Sequence, residues 1–259
     1  MTPDSGIRRL WWCPTGPLSS LPIHAAGVYP DGPKLSDFVI SSYTPTISAL
    51  LDARHTKSMK LSQLITVSLP KEAKLPGTER EVQCIVNHAQ TGIVRDLREG
   101  DADSQSVSEA MKGAEWAHFA CHGKQNPTDP TKSCLLLANG SYLKLSDIIN
   151  LRLKNAQFAF LSACQTATGD KNLQDEAVHL AARMLLAGYR GVIATMRSVN
   201  DEYAAYIADD TYRRLFEDYG ADYTRAAEAL HFAVQKVRKE RESKGDFSFA
   251  WVPFIHMGV

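Results

Sequence analysis

The chain lacks both a long apolar run and an excess of charge of either sign. Its 259 residues include 29 lysines and arginines against 29 aspartates and glutamates, so the formal net charge is zero. A neutral chain offers no basic surface for nucleic acid, and no run approaches the roughly 18–20 apolar residues that cross a bilayer. The first residues also lack the pattern of a signal peptide. We therefore expect neither a nucleic-acid partner nor a membrane partner.

Cysteine is scarce and odd in number. The five cysteines are scattered along the chain, which does not suit a disulfide framework and is typical of a reducing compartment. We therefore expect a cytoplasmic protein. A lone cysteine is most often a buried apolar residue, and this is our interpretation of Cys13, Cys84, Cys121 and Cys134.

Motifs for phosphate or metal are also missing. Neither G-x-G-x-x-G nor G-x-x-x-x-G-K-[ST] occurs in the sequence, which argues against a nucleotide-binding domain. No second pair of ligands stands at zinc spacing. We expect no cofactor and no metal ion.

Short apolar runs alternate with helical patterns along most of the chain. The predicted strands cover about 61–69, 92–97, 116–122, 156–163, 191–196 and 249–257. This alternation predicts a three-layer α/β fold in which helices flank a mostly parallel six-stranded sheet. Residues 1–57 are predicted to form a smaller N-terminal accessory lobe, and residues 58–259 the main subdomain.

The stretch "WAHFACHGKQNP" (116–127) contains two histidines and a cysteine within five positions. Side chains alternate along a strand, so His118 and His122 share one face while Cys121 lies on the other. The three side chains therefore do not converge on one metal ion. We expect Cys121 to be a core residue and His118 to be half-buried and hydrogen-bonded within the fold.

His122 and Cys164 each close a predicted strand and are followed by loops. Open α/β sheets place their chemistry at the carboxyl ends of strands, and a cysteine nucleophile needs a base such as imidazole. Gly123 has no Cβ to block a substrate backbone. The N–H groups of Gly123 and Cys164 are candidate donors to an oxyanion.

The same segments carry a family resemblance. "HFACHG", "FLSACQTATG" and "DEAVHLAARMLLAGYRGVIATM", together with "LPGTEREV" and "WVPFIHMG", resemble the CHAT domain and are similar to its fungal forms. The match covers essentially the whole chain. It implies a caspase-like fold and a cysteine endopeptidase of the caspase–separase type, with His122 and Cys164 as a catalytic dyad. It also implies a protein or peptide substrate and a repeat or sensor module in a longer protein.

Substrate preference rests on "RSVND" (197–201). The resemblance places Asp201 where separase-like relatives carry an acidic residue in the pocket for the residue before the cut, which would favour arginine or lysine. The alternative is that Asp201 caps the helix predicted at 201–218. Arg197 stands where the family often has an aromatic residue. A rival to the peptidase is a latent or inactive caspase-like scaffold that acts as an interaction module in a signalling or defence protein.

Overall fold

The computed structural model describes residues 6–54, 60–69, 77–124, 133–162, 176–196, 199, 201–246 and 248–259. The strands are β1 Arg8–Trp12, β2 Val39–Tyr43, β3 Leu64–Ser68, β4 Val94–Arg98, β5 Trp116–Ala120, β6 Gly123–Lys124, β7 Cys134–Leu136, β8 Tyr142–Lys144, β9 Phe158–Leu161, β10 Gly191–Thr195 and β11 Phe254–Gly258. The α-helices are α1 Ile47–Arg54, α2 Gly77–His88, α3 Ser104–Gly113, α4 Leu145–Asn150, α5 Glu176–Ala187, α6 Asp201–Arg213 and α7 Ala226–Ser243.

Eight strands form one sheet in the order β1-β2-β11-β10-β9-β5-β3-β4. Neighbouring strands from β10 to β4 are parallel, whereas β11 runs antiparallel to β10 and parallel to β2. Because β3, β5, β9 and β10 run the same way, their carboxyl ends meet at one edge of the sheet.

Helices cover both faces of this sheet, which confirms the predicted three-layer α/β architecture. The central strands are buried along their whole length, as expected for parallel strands covered on two sides. One apolar cluster joins Phe119 and Leu161 to residues of α3, α4 and α5. The other joins Trp116 and Phe158 to residues of α2, α6 and α7.

The sheet is larger than the six strands expected from the sequence. Strands β1 and β2 of the predicted N-terminal lobe extend it, since Tyr43 of β2 pairs with Met257 of β11. The division of the chain at residue 57 stays a prediction.

Local sequence signals explain several element ends. Asp103 caps α3 by accepting a hydrogen bond from the Ser106 N–H at 2.8 Å, which satisfies one of the free N–H groups of the first turn. Gly188 ends α5 with a φ of 124°, and a Cβ there would lie 2.3 Å from the Leu153 carbonyl oxygen. Only glycine fits this position.

Two buried histidines should make the fold sensitive to mild acid. Burial lowers the pKa of His231 from 6.5 to about 4, and the nearby Arg238 charge acts in the same direction. Burial, and after it the Arg9 charge, also lowers the pKa of His256 well below 6.5. Both groups bind a proton more weakly when folded, so stability is complete above the unfolded pKa of 6.5 and is lost as the pH falls from there toward 4.

Urea unfolding near pH 7.5 and near pH 5.5 measures this effect. We expect the free energy of unfolding to fall by about 1.4 kcal/mol per pH unit for each histidine below pH 6.5. His231→Leu should reduce the dependence of the unfolding free energy on pH by the contribution of one histidine, about 1.4 kcal/mol per pH unit. An unchanged free energy at the two pH values would contradict the expectation.

Candidate active site

His122 lies just beyond the carboxyl end of β5, at the edge of the sheet where the sequence placed it. Its side chain is partly exposed, and its backbone carbonyl oxygen accepts a hydrogen bond from the Leu136 N–H at 2.8 Å. The main chain at His122 is therefore fixed by a neighbouring strand, while the imidazole lies at the surface of the sheet edge.

Gly123 begins a small antiparallel sheet that continues from His122. It pairs with Leu135, and Lys124 pairs with Cys134. A Cβ on Gly123 would lie 4.0 Å from the Cys134 carbonyl oxygen, which is ordinary van der Waals contact. The described neighbours therefore do not require glycine at this position.

Strand β9 lies directly beside β5 and ends at the same edge. Phe119 pairs with Leu161, and the N–H of Ser162 donates to the Phe119 carbonyl oxygen at 3.0 Å. Cys164, the predicted nucleophile, follows two residues later and lies outside the described residues, as does Arg197. Helix α6 begins at Asp201, whose side chain is also outside the description.

The other cysteines differ in their suitability as nucleophiles. Burial raises the pKa of the Cys84 thiol, with the Asp209 charge contributing, and burial also raises that of Cys134. Such thiols carry less thiolate than a free cysteine. Cys121 is 1% exposed, which confirms it as a core residue. Cys13 is exposed, so its predicted burial is wrong, because it lies just past the edge strand β1.

His118 is a structural residue that is more deeply buried than expected. It is 0% exposed, with Nε2 at 3.2 Å from Oε1 of Glu81 and Nδ1 at 3.2 Å from the Tyr212 hydroxyl. The ring also packs against Phe160. The imidazole has no exposed surface and lies among buried side chains, so His118 is not a second catalytic base.

Sequence patterns missed the two residues that hold His118. The helical period of α2 predicts an apolar face of Val82, Ile85 and Val86, but Val86 is 38% exposed while Glu81 is 2% exposed. The sequence shows a glutamate within a helical pattern, but no local feature shows that it is buried. Its burial can be predicted only when the histidine opposite it is known.

Within the described parts of the chain, no group of three His, Cys, Asp or Glu side chains could hold a metal ion. No helix among the described residues is long and apolar enough to cross a membrane.

Solved structures share this fold. The complex of Porphyromonas gingivalis RgpB pro- and mature domains is similar, with a TM-score of 0.57 and 11% identity, over 85% of this chain and 55% of that chain. The Arg-specific cysteine proteinase gingipain R matches with a TM-score of 0.54 and 12% identity, over 84% of this chain and 53% of that chain. In the Saccharomyces cerevisiae separase–securin complex, the match has a TM-score of 0.54 and 12% identity, over 87% of this chain and 14% of that chain.

These similarities define the class of the fold, which is the caspase-like α/β fold of gingipain and separase. The chain spans little more than half of the gingipain chains and a small part of the separase chain. No curated protein matches the sequence. The CHAT domain family model matches residues 2–259, so the chain belongs to the CHAT domain family, as the sequence motifs predicted.

Proposed function

We propose that this chain is a cysteine endopeptidase in which Cys164 is the nucleophile and His122 the general acid and base. Its substrate is a protein or peptide. The family and the fold support a cysteine peptidase as the class, and the assignment of the two residues rests on their sequence distance from two paired strands.

The observation that carries the proposal is the register between β5 and β9. Four residues of β5 pair with the residue 42 positions later, from Trp116 with Phe158 to Phe119 with Leu161. His122 and Cys164 are separated by the same 42 positions. The two residues follow adjacent parallel strands at equivalent positions, which is the relation a dyad on one sheet edge requires.

The chemistry proceeds through an acyl-enzyme. The Cys164 thiol gives its proton to His122, and Sγ forms a bond with the carbonyl carbon of the substrate. The N–H groups of Gly123 and Cys164 stabilise the oxyanion. The C–N bond then breaks as His122 returns the proton to the leaving amine. Water, deprotonated by His122, hydrolyses the thioester and restores the thiol.

The preference at the cut site is the less direct part of the proposal. Asp201 begins α6 at the edge where β10 ends, and a carboxylate there would favour arginine or lysine before the cut. The same residue suits a helix N-terminus. Cleavage of peptides that vary only at this position separates the two roles, since acidic or apolar preferences would exclude the pocket role.

Labelling with a peptidyl thiol-reactive probe tests the nucleophile. We expect one probe per chain in the wild type, with the modified peptide containing Cys164, and no labelling of Cys164→Ala. Because Cys13 is exposed, Cys13→Ser is the matched control: it removes an accessible thiol outside the site and should leave labelling unchanged.

Two outcomes would overturn the assignment. Labelling that persists in Cys164→Ala would place the nucleophile elsewhere. A wild-type protein that reacts with no peptidyl probe, although its free thiols react with a small alkylating agent, would favour the non-cleaving scaffold.

A further inference from the structure

Three strand ends near His122 carry a buried hydroxyl group. Ser68 is the last residue of β3, Ser162 directly follows β9, and Thr195 is the last residue of β10. Their exposed fractions are 0%, 3% and 1%, respectively. Each of these strands therefore ends at its carboxyl end on a buried hydroxyl side chain.

The pairing register places these hydroxyl residues level across the sheet. Ser68 pairs with Ala120. The last pair of β5 and β9 is Phe119 with Leu161, so one residue further along both strands Ser162 is level with Ala120. Ile193 pairs with Phe160, so two residues further along both strands Thr195 stands level with Ser162. We refer to Ser68, Ser162 and Thr195, with Ala120 between the two serines, as the hydroxyl row.

The hydroxyl row lies on the sheet face covered by α2 and α6. His118 is two residues before Ala120 on the same strand, and residues two apart share a face. Since His118 contacts Glu81 of α2 and Tyr212 of α6, the row faces the same helices. It lies one side-chain layer, about 6.6 Å, from the level of His122.

Side chains become smaller toward this edge of the sheet. The layer that contains His118 also contains Phe160 and Ile193, whereas the next layer is the hydroxyl row. Helix α6 follows the same trend. From Tyr212 toward the N-terminus of the helix, the next residues on the same face are Ala208 and Ala204. Small side chains of the sheet and of α6 therefore face each other near the sheet edge at which His122 lies.

The hydroxyl row has unused hydrogen-bonding capacity. None of the described residues offers a partner to the hydroxyl oxygens of Ser68, Ser162 or Thr195. A buried hydroxyl without a partner costs free energy that a ligand with suitable groups would recover.

We propose that the hydroxyl row is the polar floor of the subsite for the substrate residue before the cut, and that it accepts hydrogen bonds from the N–H groups of a basic side chain. This inference rests on the proposed peptidase function. Ser162 and Thr195 are on adjacent strands about 4.8 Å apart, a spacing that one guanidinium or ammonium group bridges. A long side chain is needed to reach from the level of His122 to the floor.

A series of three probes separates the hydroxyl row from Asp201. The probes share one peptide and one thiol-reactive group and end in arginine, citrulline or norleucine. Citrulline keeps the N–H donors without the charge, and norleucine has neither. We expect Ser162→Ala and Thr195→Val each to slow labelling by the arginine and citrulline probes by about threefold to tenfold relative to norleucine. Asp201→Asn should affect arginine alone.

Matched variants exclude a general structural effect. Thr211 of α6 also has a buried hydroxyl without a partner among the described residues, but it is not part of the row. Thr211→Val should leave the ratios of the three labelling rates unchanged. Thr195→Ser keeps a hydroxyl group at this position and should show the wild-type ratios, unlike Thr195→Val.

The outcomes separate the two proposals. If the wild type reacts with all three probes and the ratios do not change in Ser162→Ala and Thr195→Val, the hydroxyl row has no role in specificity, while the peptidase proposal stands. If the wild type reacts with none of the probes, the peptidase proposal is wrong, and the inference fails with it.

Discussion

Replacing His122 by alanine should lower the rate of peptide cleavage by about 10²- to 10⁴-fold without unfolding the protein, since this is the usual contribution of a positioned general acid or base. The alanine variant keeps the main-chain hydrogen bond that the Leu136 N–H donates to the carbonyl oxygen of residue 122. Circular dichroism and thermal unfolding should match the wild type, while kcat/KM for a fluorogenic peptide falls.

The leaving group tests the role of His122 as an acid. An oxygen ester needs less protonation of its leaving group than an amide, so the deficit of His122→Ala should be smaller for the ester. His88→Gln is the control: His88 is at the end of α2, where it contacts Asp209 and Glu217, and its replacement should not change turnover. Wild-type turnover by His122→Ala would exclude the dyad.

The central sheet could be predicted from the sequence because its strands are mostly apolar and buried along their whole length. Five consecutive buried residues in β3 and in β10 can be read locally. Strand β2 was missed because it contains two serines. Ser42 is buried there because its hydroxyl accepts from Arg9 and lies 3.1 Å from Nδ1 of His256, and a partner 214 positions away leaves no local pattern.

The candidate site was predicted only in part, because some of its residues have a local signal and others do not. His122 follows an apolar strand and could be found by its position alone. The hydroxyl row was not found, although "ITVS", "FAFLS" and "VIAT" each end on a hydroxyl residue. Only the register shows that these three ends are level, and register across parallel strands is set by long-range packing rather than by a local signal.

Removing the carboxylate of Glu81 should strongly destabilise the fold. Glu81 and His118 are 2% and 0% exposed and lie 3.2 Å apart, so Glu81→Leu leaves a buried imidazole without its partner. A buried polar group left without its partner typically costs about 1–3 kcal/mol. We expect a decrease of this size in the free energy of unfolding measured with urea near pH 7.5. Glu79→Leu, on the exposed side of α2, should change it by less than about 0.5 kcal/mol.

The double variant distinguishes an unpaired group from a loss of packing. Glu81→Leu with His118→Leu removes both polar partners, and an apolar pair of similar volume is often as stable as the buried pair it replaces. We therefore expect the double variant to recover most of the stability that Glu81→Leu loses. Tyr212→Phe should cost about 1 kcal/mol, because it removes a hydroxyl that lies 3.2 Å from Nδ1 of His118. Burial, and after it the Glu81 charge, holds the pKa of this hydroxyl well above 10. If the double variant is no more stable than Glu81→Leu, the two side chains act by filling space, and the polar contact between α2 and β5 is not what holds this side of the sheet.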